Sequence, residues 1–97
     1  MPAYIIADVD VTDAEGYTEY RDKVPALIAA HGGRYLARGG ATEVLEGSWS
    51  PKRAVIVEFP SLAALKGFWD SPEYRHLRAI RNRTADSRIV AVDGLSG

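Results

Sequence analysis

The sequence predicts an α+β fold with the element order strand, helix, strand, strand, helix, strand. Three observations predict it. Short apolar segments with alternating residues recur along the chain, segments with helical spacing separate them, and capping residues, glycines and prolines mark the boundaries. Two split βαβ units of this kind give the ferredoxin-like βαββαβ arrangement with a four-stranded antiparallel-type sheet. We expect residues 1–97 to form one domain, since domains typically span about 50 to 200 residues.

The first half of the chain predicts a strand, a helix and a second strand. Residues 3–11 alternate, which gives a strand with one fully apolar face. The capping box Thr12-Asp13-Ala14-Glu15 begins a helix that Pro25 should kink or restart and that His31-Gly32-Gly33 should end. Residues 34–38 form the second strand. The buried stripe of the helix comprises Tyr17, Tyr20, Val24, Leu27 and Ile28.

The second half repeats the pattern with a broken helix. Gly39-Gly40 indicates a turn or bulge, and a short arm over residues 43–47 precedes a Ser/Pro loop. Residues 53–59 are β-branched and predict the third strand. Ser61 caps a helix that Pro72 breaks near Asp70, and Ser71-Pro72-Glu73 starts a new helix. Its buried side comprises Tyr74, Leu77, Ile80 and Ala85, and residues 88–93 form the last strand.

One face of the predicted sheet is left without helices. Both helices cover the same face, so Tyr4, Ile6, Ala54 and Ile56 of the central strands point to the open one. A contiguous apolar patch of this kind is rare on a monomer. We therefore expect a homodimer in which two open faces pack against each other.

Four segments carry a resemblance to a known family. The segments are Gly32–Gly40, Glu46–Trp49, Arg53–Ser61 and Ser71–Tyr74, and with the element order they resemble the domain of unknown function (DUF) 1330 family over nearly the whole chain. That family is similar to the dimeric α/β-barrel superfamily, whose members join two ferredoxin-like sheets around a cavity. The superfamily includes cofactor-independent monooxygenases, isomerases and haem-handling proteins. The resemblance implies the fold and the dimer and leaves the chemistry open.

Two carboxylates are candidate catalytic residues. With the first and third strands taken as parallel neighbours, Asp8 and Glu58 lie on the open face towards the same end of the sheet. Of two neighbouring carboxylates, one can have a raised pKa and act as a general acid or base. The alternative is that an arginine at the sheet rim neutralises each of them.

Arginines are the leading candidates for ligand binding. Arg34, Leu36 and Arg38 alternate along the second strand and are expected to share one face. A guanidinium directed into a barrel mouth fits a carboxylate or enolate oxygen, and Arg38 is the best single candidate. Arg53, at the start of the third strand, would add to the same positive rim. The alternative is that charges on edge strands only prevent aggregation.

Three further ligand-binding candidates each have a structural alternative. His31 is either a proton shuttle or a cation favoured by the C-terminus of the first helix. Tyr74 is expected to pack in the core with its hydroxyl satisfied at the surface. Arg81 lies next to the buried Ile80 on the inner flank of its helix. Trp49, in the Ser/Pro loop, is expected at the dimer interface, where tryptophan is enriched.

Several classes of site are excluded by the residues present. The chain has no cysteine, which rules out disulfides, thiol catalysis and thiolate metal sites. His31 and His76 lie on separate helices without a His-x-x-x-His pair, and no phosphate-binding glycine motif or Gly-x-Ser-x-Gly elbow occurs. A haem ligand is conceivable only by analogy of fold. The sequence therefore predicts neither a metal nor an organic cofactor.

Charge and apolar runs argue against nucleic-acid and membrane partners. The formal net charge is −1, so no strong overall field attracts an anionic polymer or membrane. Residues 75–88 carry five arginines but no RNA- or DNA-reading motif, so a solvated helix face paired with the acidic first helix is expected. No apolar run approaches the roughly 20 residues of a membrane span. Without a targeting signal, the cytoplasm is the expected location.

These observations predict a dimer that binds a small, partly apolar anionic or carbonyl-bearing molecule in a barrel cavity. In this hypothesis Arg38 orients the ligand, and Asp8 or Glu58 moves a proton without a cofactor. The alternative hypothesis is a non-catalytic dimer that binds a ligand or a partner. A catalytic carboxylate should be partly buried and lack a direct arginine partner, which distinguishes the two.

Overall fold

The fold is a four-stranded antiparallel sheet with three helices on one face. A computed structural model describes residues 1–95 of the chain. Its strands are β1 (Ala3–Val11), β2 (Arg34–Arg38), β3 (Ala54–Phe59) and β4 (Ala85–Asp93), and its helices are α1 (Ala14–Ala30), α2 (Leu62–Trp69) and α3 (Pro72–Thr84). The strand order β2-β3-β1-β4 is that of the predicted ferredoxin-like arrangement.

The register of the two central strands corrects one prediction. β1 and β3 run antiparallel, so Asp8 lies opposite Ala54 while Tyr4 lies opposite Glu58. The expectation that these strands are parallel is wrong. Asp8 and Glu58 therefore share the open face but lie towards opposite ends of β3, and they cannot form a carboxylate pair within one subunit.

The first helix ends where the sequence predicts and begins one residue later than the capping box indicates. Its N-cap is Asp13, one residue after the expected Thr12, and the Asp13 carboxylate accepts a hydrogen bond from the N–H of Gly16. Pro25 does not restart the helix, which runs unbroken to Ala30. Gly32 ends it with φ +80°, a left-handed conformation that favours glycine.

The break between α2 and α3 also follows the prediction. The side chains of Ser61 and Ser71 accept hydrogen bonds from the N–H groups of Ala64 and Tyr74, as N-caps do. Ser71 is buried and also donates its hydroxyl proton to the Phe68 carbonyl, which joins the two helices at their boundary. β4 begins at Ala85 rather than at Arg88, so Ala85 is a strand residue and not the end of the helix.

The second strand contains a bulge that the sequence does not reveal. The pairing with β3 shifts between Tyr35 and Ala37, so Leu36 is an extra residue. The bulge lies inside β2, and the turn or bulge expected at Gly39-Gly40 is a bend at Gly39 with φ +72°. Residues 40–53 form no helix or strand, so the predicted arm over residues 43–47 is a loop.

The core lies between the sheet and the helices. The inward residues of β1 are buried in this core. The rings of Phe59, Phe68 and Tyr74 form the centre of the core. Phe68 lies 4.3 Å from Tyr74 and 5.4 Å from Phe59 between ring centroids. The predicted stripe of α1 packs here, with Tyr17, Val24 and Ile28 buried.

The opposite face of the sheet exposes apolar side chains. Ile6 lies at its centre, opposite Ile56 of β3 and Val90 of β4, and keeps 37% of its surface exposed. Val90 and Val92 of β4 extend the patch to the edge. No helix in the described part of the chain is both long and apolar enough to cross a membrane.

Candidate functional site

A pocket lies between the sheet and the helices. Its floor is the inward face of β1, formed by Ile5, Ala7 and Val9, and its walls are mainly aromatic. Its volume is about 50 Å³, well below the roughly 150 Å³ of a cavity that binds benzene. The space therefore suits a group of a few heavy atoms. The aromatic walls are Tyr17, Tyr20, Tyr35, Phe68, Trp69 and Tyr74.

Tyrosine hydroxyls supply neutral polar groups to this pocket. The hydroxyls of Tyr20 and Tyr74 lie 2.9 Å apart and hydrogen-bond to each other. The expected position of the Tyr74 hydroxyl was at the surface. Instead, its hydrogen-bond partner is Tyr20, inside the protein. Burial raises the pKa of Tyr17, Tyr20 and Tyr35. These phenols stay protonated at neutral pH, so they act as hydrogen-bond donors rather than as bases.

Two arginines line the same pocket. Arg53, just before β3, has its Nε buried and without a hydrogen-bond partner among residues 1–95. Arg38 reaches the pocket from the end of β2 and donates from Nη2 to the Arg21 carbonyl of α1 at 3.0 Å. Its guanidinium carbon lies 4.8 Å from the centre of the Tyr35 ring, a cation–π distance.

The bulge in β2 separates the arginines of that strand. Arg34 lies opposite Glu58 on the open face, whereas Arg38 lies opposite Val55 on the helix side. The prediction that Arg34, Leu36 and Arg38 share one face is wrong, because Leu36 is the extra residue and the alternation shifts after it. Of the arginines predicted at the rim, the structure brings Arg38 and Arg53 together and leaves Arg34 on the other face.

Arg81 is buried beside the pocket. It is 4% exposed and its Nε has no hydrogen-bond partner in the described chain. Its guanidinium carbon lies 5.9 Å from the Tyr20 ring centre and 6.0 Å from that of Trp69. Arg81 therefore lies within cation–π distance of two aromatic residues of the pocket wall.

Asp8 lies on the open face, outside this pocket. Its carboxylate accepts hydrogen bonds from the backbone N–H groups of Lys52 and Arg53 at 2.9 and 3.2 Å. Partial burial raises the pKa of Asp8, but these two N–H groups, the Trp49 indole and the Arg88 charge outweigh it, so the net pKa is lowered. A lowered pKa keeps the group ionised and makes it a weak proton acceptor at neutral pH.

Glu58 has the arginine partner that the ion-pair alternative requires. Arg34 Nε donates to its carboxylate at 2.8 Å, and Tyr4 lies directly opposite on β1. The arginine is well exposed, so the pair contributes little to stability. Of the two predicted carboxylates, only Asp8 lacks a direct arginine partner within residues 1–95.

The two histidines lie apart from the pocket. His31 caps the C-terminus of α1, with its ring edge-on to Phe68 at 6.0 Å. His76 is exposed and lies 3.2 Å from Glu19, the one contact between a basic and an acidic side chain that joins α1 to α3 within residues 1–95. Within the same range, no three His, Cys, Asp or Glu side chains lie close enough to share a metal ion.

Sequence reasoning missed most of the pocket wall. The sequence pattern assigns Tyr17 and Tyr20 to the core and does not single out Trp69, whereas Tyr74 is a candidate. The available signal was the accumulation of tyrosines on the inward stripe of α1, where a purely structural helix more often carries leucine or isoleucine. Tyrosine and tryptophan bring polar groups that need partners when buried.

Ionisation of the pocket tyrosines is expected to destabilise the fold above pH 10. Burial raises the folded-state pKa above 10.0. Stability from these groups is therefore complete below pH 10 and is lost as pH rises towards the folded-state pKa. Each such group lowers the free energy of unfolding by about 1.4 kcal/mol per pH unit in that range. Urea unfolding followed between pH 9 and 11 measures this slope. Tyr20→Phe should reduce this slope by the contribution of one tyrosine. An unchanged slope would contradict the raised pKa of Tyr20.

Comparison with protein families identifies the chain. The family model described as domain of unknown function (DUF1330) matches residues 2–95. The protein belongs to the DUF1330 family. This confirms the family indicated by the four sequence segments. No curated protein matches the sequence.

Solved structures confirm the ferredoxin-like fold of this DUF1330 chain. The RPA0582 protein of unknown function from Rhodopseudomonas palustris is 24% identical, with a TM-score of 0.77, over 99% of this chain and 84% of its own. SnoaB from Streptomyces nogalater, a cofactor-independent oxygenase, is 9% identical, with a TM-score of 0.65, over 99% and 95%. A dimeric ferredoxin-like protein of unknown function from Thermobifida fusca is 16% identical, with a TM-score of 0.63, over 97% and 92%. At these identities the similarity establishes the fold alone.

Proposed function

We propose that this protein is a homodimer that binds a small, partly apolar carbonyl-bearing or anionic molecule in the pocket of each subunit. The observation that carries the proposal is the composition of the pocket wall. Apolar and aromatic side chains surround a few polar groups, namely the tyrosine hydroxyls, the Trp69 indole and the guanidinium groups of Arg38 and Arg53. Ligand sites have this character, an apolar body with a few placed polar groups.

The proposed dimer packs the open faces of two sheets together. Ile6, Ile56 and Val90 form the centre of an apolar patch that no element of the described chain covers. The Thermobifida fusca neighbour with the same fold is a dimeric protein. Covering this patch with a second copy removes it from water, as isologous dimers do.

The proposed ligand site lies on the opposite face of the sheet from the expected one. The sequence predicts a cavity between the two sheets, on the face that carries Asp8 and Glu58. The pocket lies on the other side of the sheet, under α1 and beside Trp69 and Tyr74. Arg38 keeps its proposed role in orienting the ligand because the bulge turns it to this side.

Catalysis is a second part of the hypothesis, with its own test. SnoaB, which shares the fold, is a cofactor-independent oxygenase, and this fits chemistry without a cofactor on such a scaffold. Proton transfer by Asp8 or Glu58 would need a substrate bound on the open face, because neither carboxylate lines the pocket. In an enzyme of that kind, Asp8→Asn or Glu58→Gln abolishes turnover and leaves ligand binding intact.

The second candidate function is a non-catalytic binding protein. The observation that favours it is the absence of any carboxylate or histidine from the pocket wall within residues 1–95. Without such a group the pocket holds a ligand but has only tyrosine phenols to exchange protons. Full turnover of a substrate by both carboxylate variants would show that neither Asp8 nor Glu58 is the acid or base.

The two tryptophans make the proposed site testable. Trp69 lines the pocket, whereas Trp49 lies 61% exposed in the loop on the open-face side. In a two-dimensional NMR titration with short aldehydes, ketones and carboxylic acids, the Trp69 indole N–H should shift and that of Trp49 should not. Trp49→Phe assigns the two signals. Ala7→Leu, which fills the floor of the pocket, should abolish the shift.

The opposite pattern would contradict the proposed site. A shift of the Trp49 indole alone would place binding in the groove formed by the loop with Asp8, Asp10 and Arg88 on the open face. A shift of Trp69 that survives in Ala7→Leu would also place the ligand outside the pocket. Circular dichroism of Ala7→Leu provides the control that the variant is folded.

A further inference from the structure

The pocket has positive charge and no negative charge to balance it. Arg53 is part of the wall, and its Nε is buried without an acceptor in residues 1–95. Arg38 binds only a backbone carbonyl and the face of Tyr35. Neither has a carboxylate partner within the described residues. Both side chains retain donor groups that an entering ligand can use.

A third guanidinium adds to this charge. Arg81 is almost completely buried, again with an unpartnered Nε. Burial raises the pKa of Tyr17, and the charges of Arg53, Arg81 and Arg38 all act against that rise. Three positive groups therefore lie close enough to influence a single residue of the pocket wall.

The buried part of this charge is unfavourable without an anion: Arg81 is buried and Arg53 half-buried, whereas the Arg38 side chain is exposed and reaches water. A guanidinium does not lose its proton at any accessible pH, so it cannot escape burial by becoming neutral as a lysine does. Buried charges are ordinarily paired because an unpaired one carries a large desolvation cost. Arg34, on the other face of the sheet, is well exposed and still pairs with Glu58 at 2.8 Å, whereas the half-buried Arg53 has no carboxylate partner within residues 1–95.

Gly39 maintains the space that Arg53 occupies. It follows β2 with φ +72°, and a Cβ there would lie 3.2 Å from Cγ, Nε and Cζ of Arg53. A side chain at this position would crowd the guanidinium and would also strain the backbone. The absence of a side chain at Gly39 therefore leaves room for the Arg53 side chain beside the end of β2.

We infer that the ligand is a small monocarboxylate whose oxygens Arg53 and Arg38 bind and whose short apolar part lies against β1 and the aromatic wall. A carboxylate matches the planar donors of a guanidinium. The volume of about 50 Å³ limits the buried part to a few heavy atoms. This inference rests on the proposed function. Of the two ligand classes proposed there, carbonyl-bearing and anionic molecules, it selects the anionic one.

The test compares an acid with the amide of the same shape. Propionate and propionamide are titrated into the wild-type protein, with the Trp69 indole N–H as the NMR signal. Propionate should bind at least about tenfold more tightly, since only the acid forms charge-assisted hydrogen bonds. Arg53→Met keeps the side-chain length and should weaken propionate binding by a similar factor. Arg34→Met is the matched control and should leave it unchanged.

Each outcome decides between the inference and the proposed function. Equal binding of propionate and propionamide overturns the carboxylate inference and leaves a pocket that binds neutral carbonyl groups. If neither compound shifts the Trp69 signal, and no aldehyde, ketone or carboxylic acid of the NMR titration shifts it either, the proposed function is overturned as well. The acid–amide comparison uses only wild-type protein, so it decides the question even if Arg53→Met does not fold.

Discussion

Replacing Ile6 with aspartate is expected to separate the proposed dimer into folded monomers. Ile6 lies at the centre of the open face, between Ile56 and Val90. Its side chain is 37% exposed in the isolated subunit, so a carboxylate there is tolerated in a monomer. In a dimer of two such faces the charge is buried without a partner, which costs about 3–5 kcal/mol.

Sedimentation equilibrium at several protein concentrations measures the effect. The dissociation constant of the dimer should rise at least about a hundredfold in Ile6→Asp, given that cost. Ala63→Asp is the matched control, since Ala63 is exposed on α2. The expected result is a dimer for the wild type and the control and a monomer for Ile6→Asp. A wild-type monomer at micromolar concentration, or a dimeric Ile6→Asp protein, would contradict the proposed interface.

Phe68→Ala is expected to be among the most destabilising core substitutions. Phe68 is 1% exposed and contacts the rings of Tyr74 and Phe59, so it joins α2 to both α3 and β3. Removing a buried phenylalanine side chain lowers the free energy of unfolding by about 3–5 kcal/mol. A domain has about 5–15 kcal/mol in total, so a large part of the stability should be lost.

Urea unfolding followed by circular dichroism checks this value. Protein concentration must be held constant because dimer formation contributes to apparent stability. Leu45→Ala is the control: Leu45 is 92% exposed in the loop, and its truncation should change the free energy by about 0.5 kcal/mol or less. A loss in Phe68→Ala no larger than that of the control would mean that the aromatic cluster does not hold the helices together.

Local signals predicted most of the fold. The alternation in residues 3–11, the two serine caps and the Pro72 break each act over a few residues, so sequence alone was sufficient for them. The antiparallel arrangement of β1 and β3 could also be predicted from the order of the elements. A crossover helix makes β1 parallel to β2, and β3 runs back along β2, so β3 must oppose β1. The prediction of a carboxylate pair was wrong because it took β1 and β3 as parallel.

The bulge at Leu36 was not predictable from the residues. No glycine or proline marks it, and the alternation of Arg34, Tyr35, Leu36, Ala37 and Arg38 favours a regular strand. Its consequence for the site is large, because it places Arg38 in the pocket and leaves Arg34 with Glu58. A single extra residue in an edge strand thus decides which arginine can meet a ligand.

The pocket itself depends on tertiary packing. An inward-facing tyrosine on α1 has the same sequence pattern whether it fills the core or borders a small space. The Tyr20–Tyr74 hydrogen bond joins residues from α1 and α3, and the unpartnered Nε of Arg53 is visible only once its neighbours are placed. Candidate residues could therefore be named from sequence, but their grouping could not.

A crystal structure of the protein soaked in propionate tests the central claim most directly. The predicted result is ligand density between β1 and the aromatic wall, with carboxylate oxygens within hydrogen-bond distance of Arg53. Density between the two sheets, or in the groove beside Trp49, with the pocket empty, would contradict it.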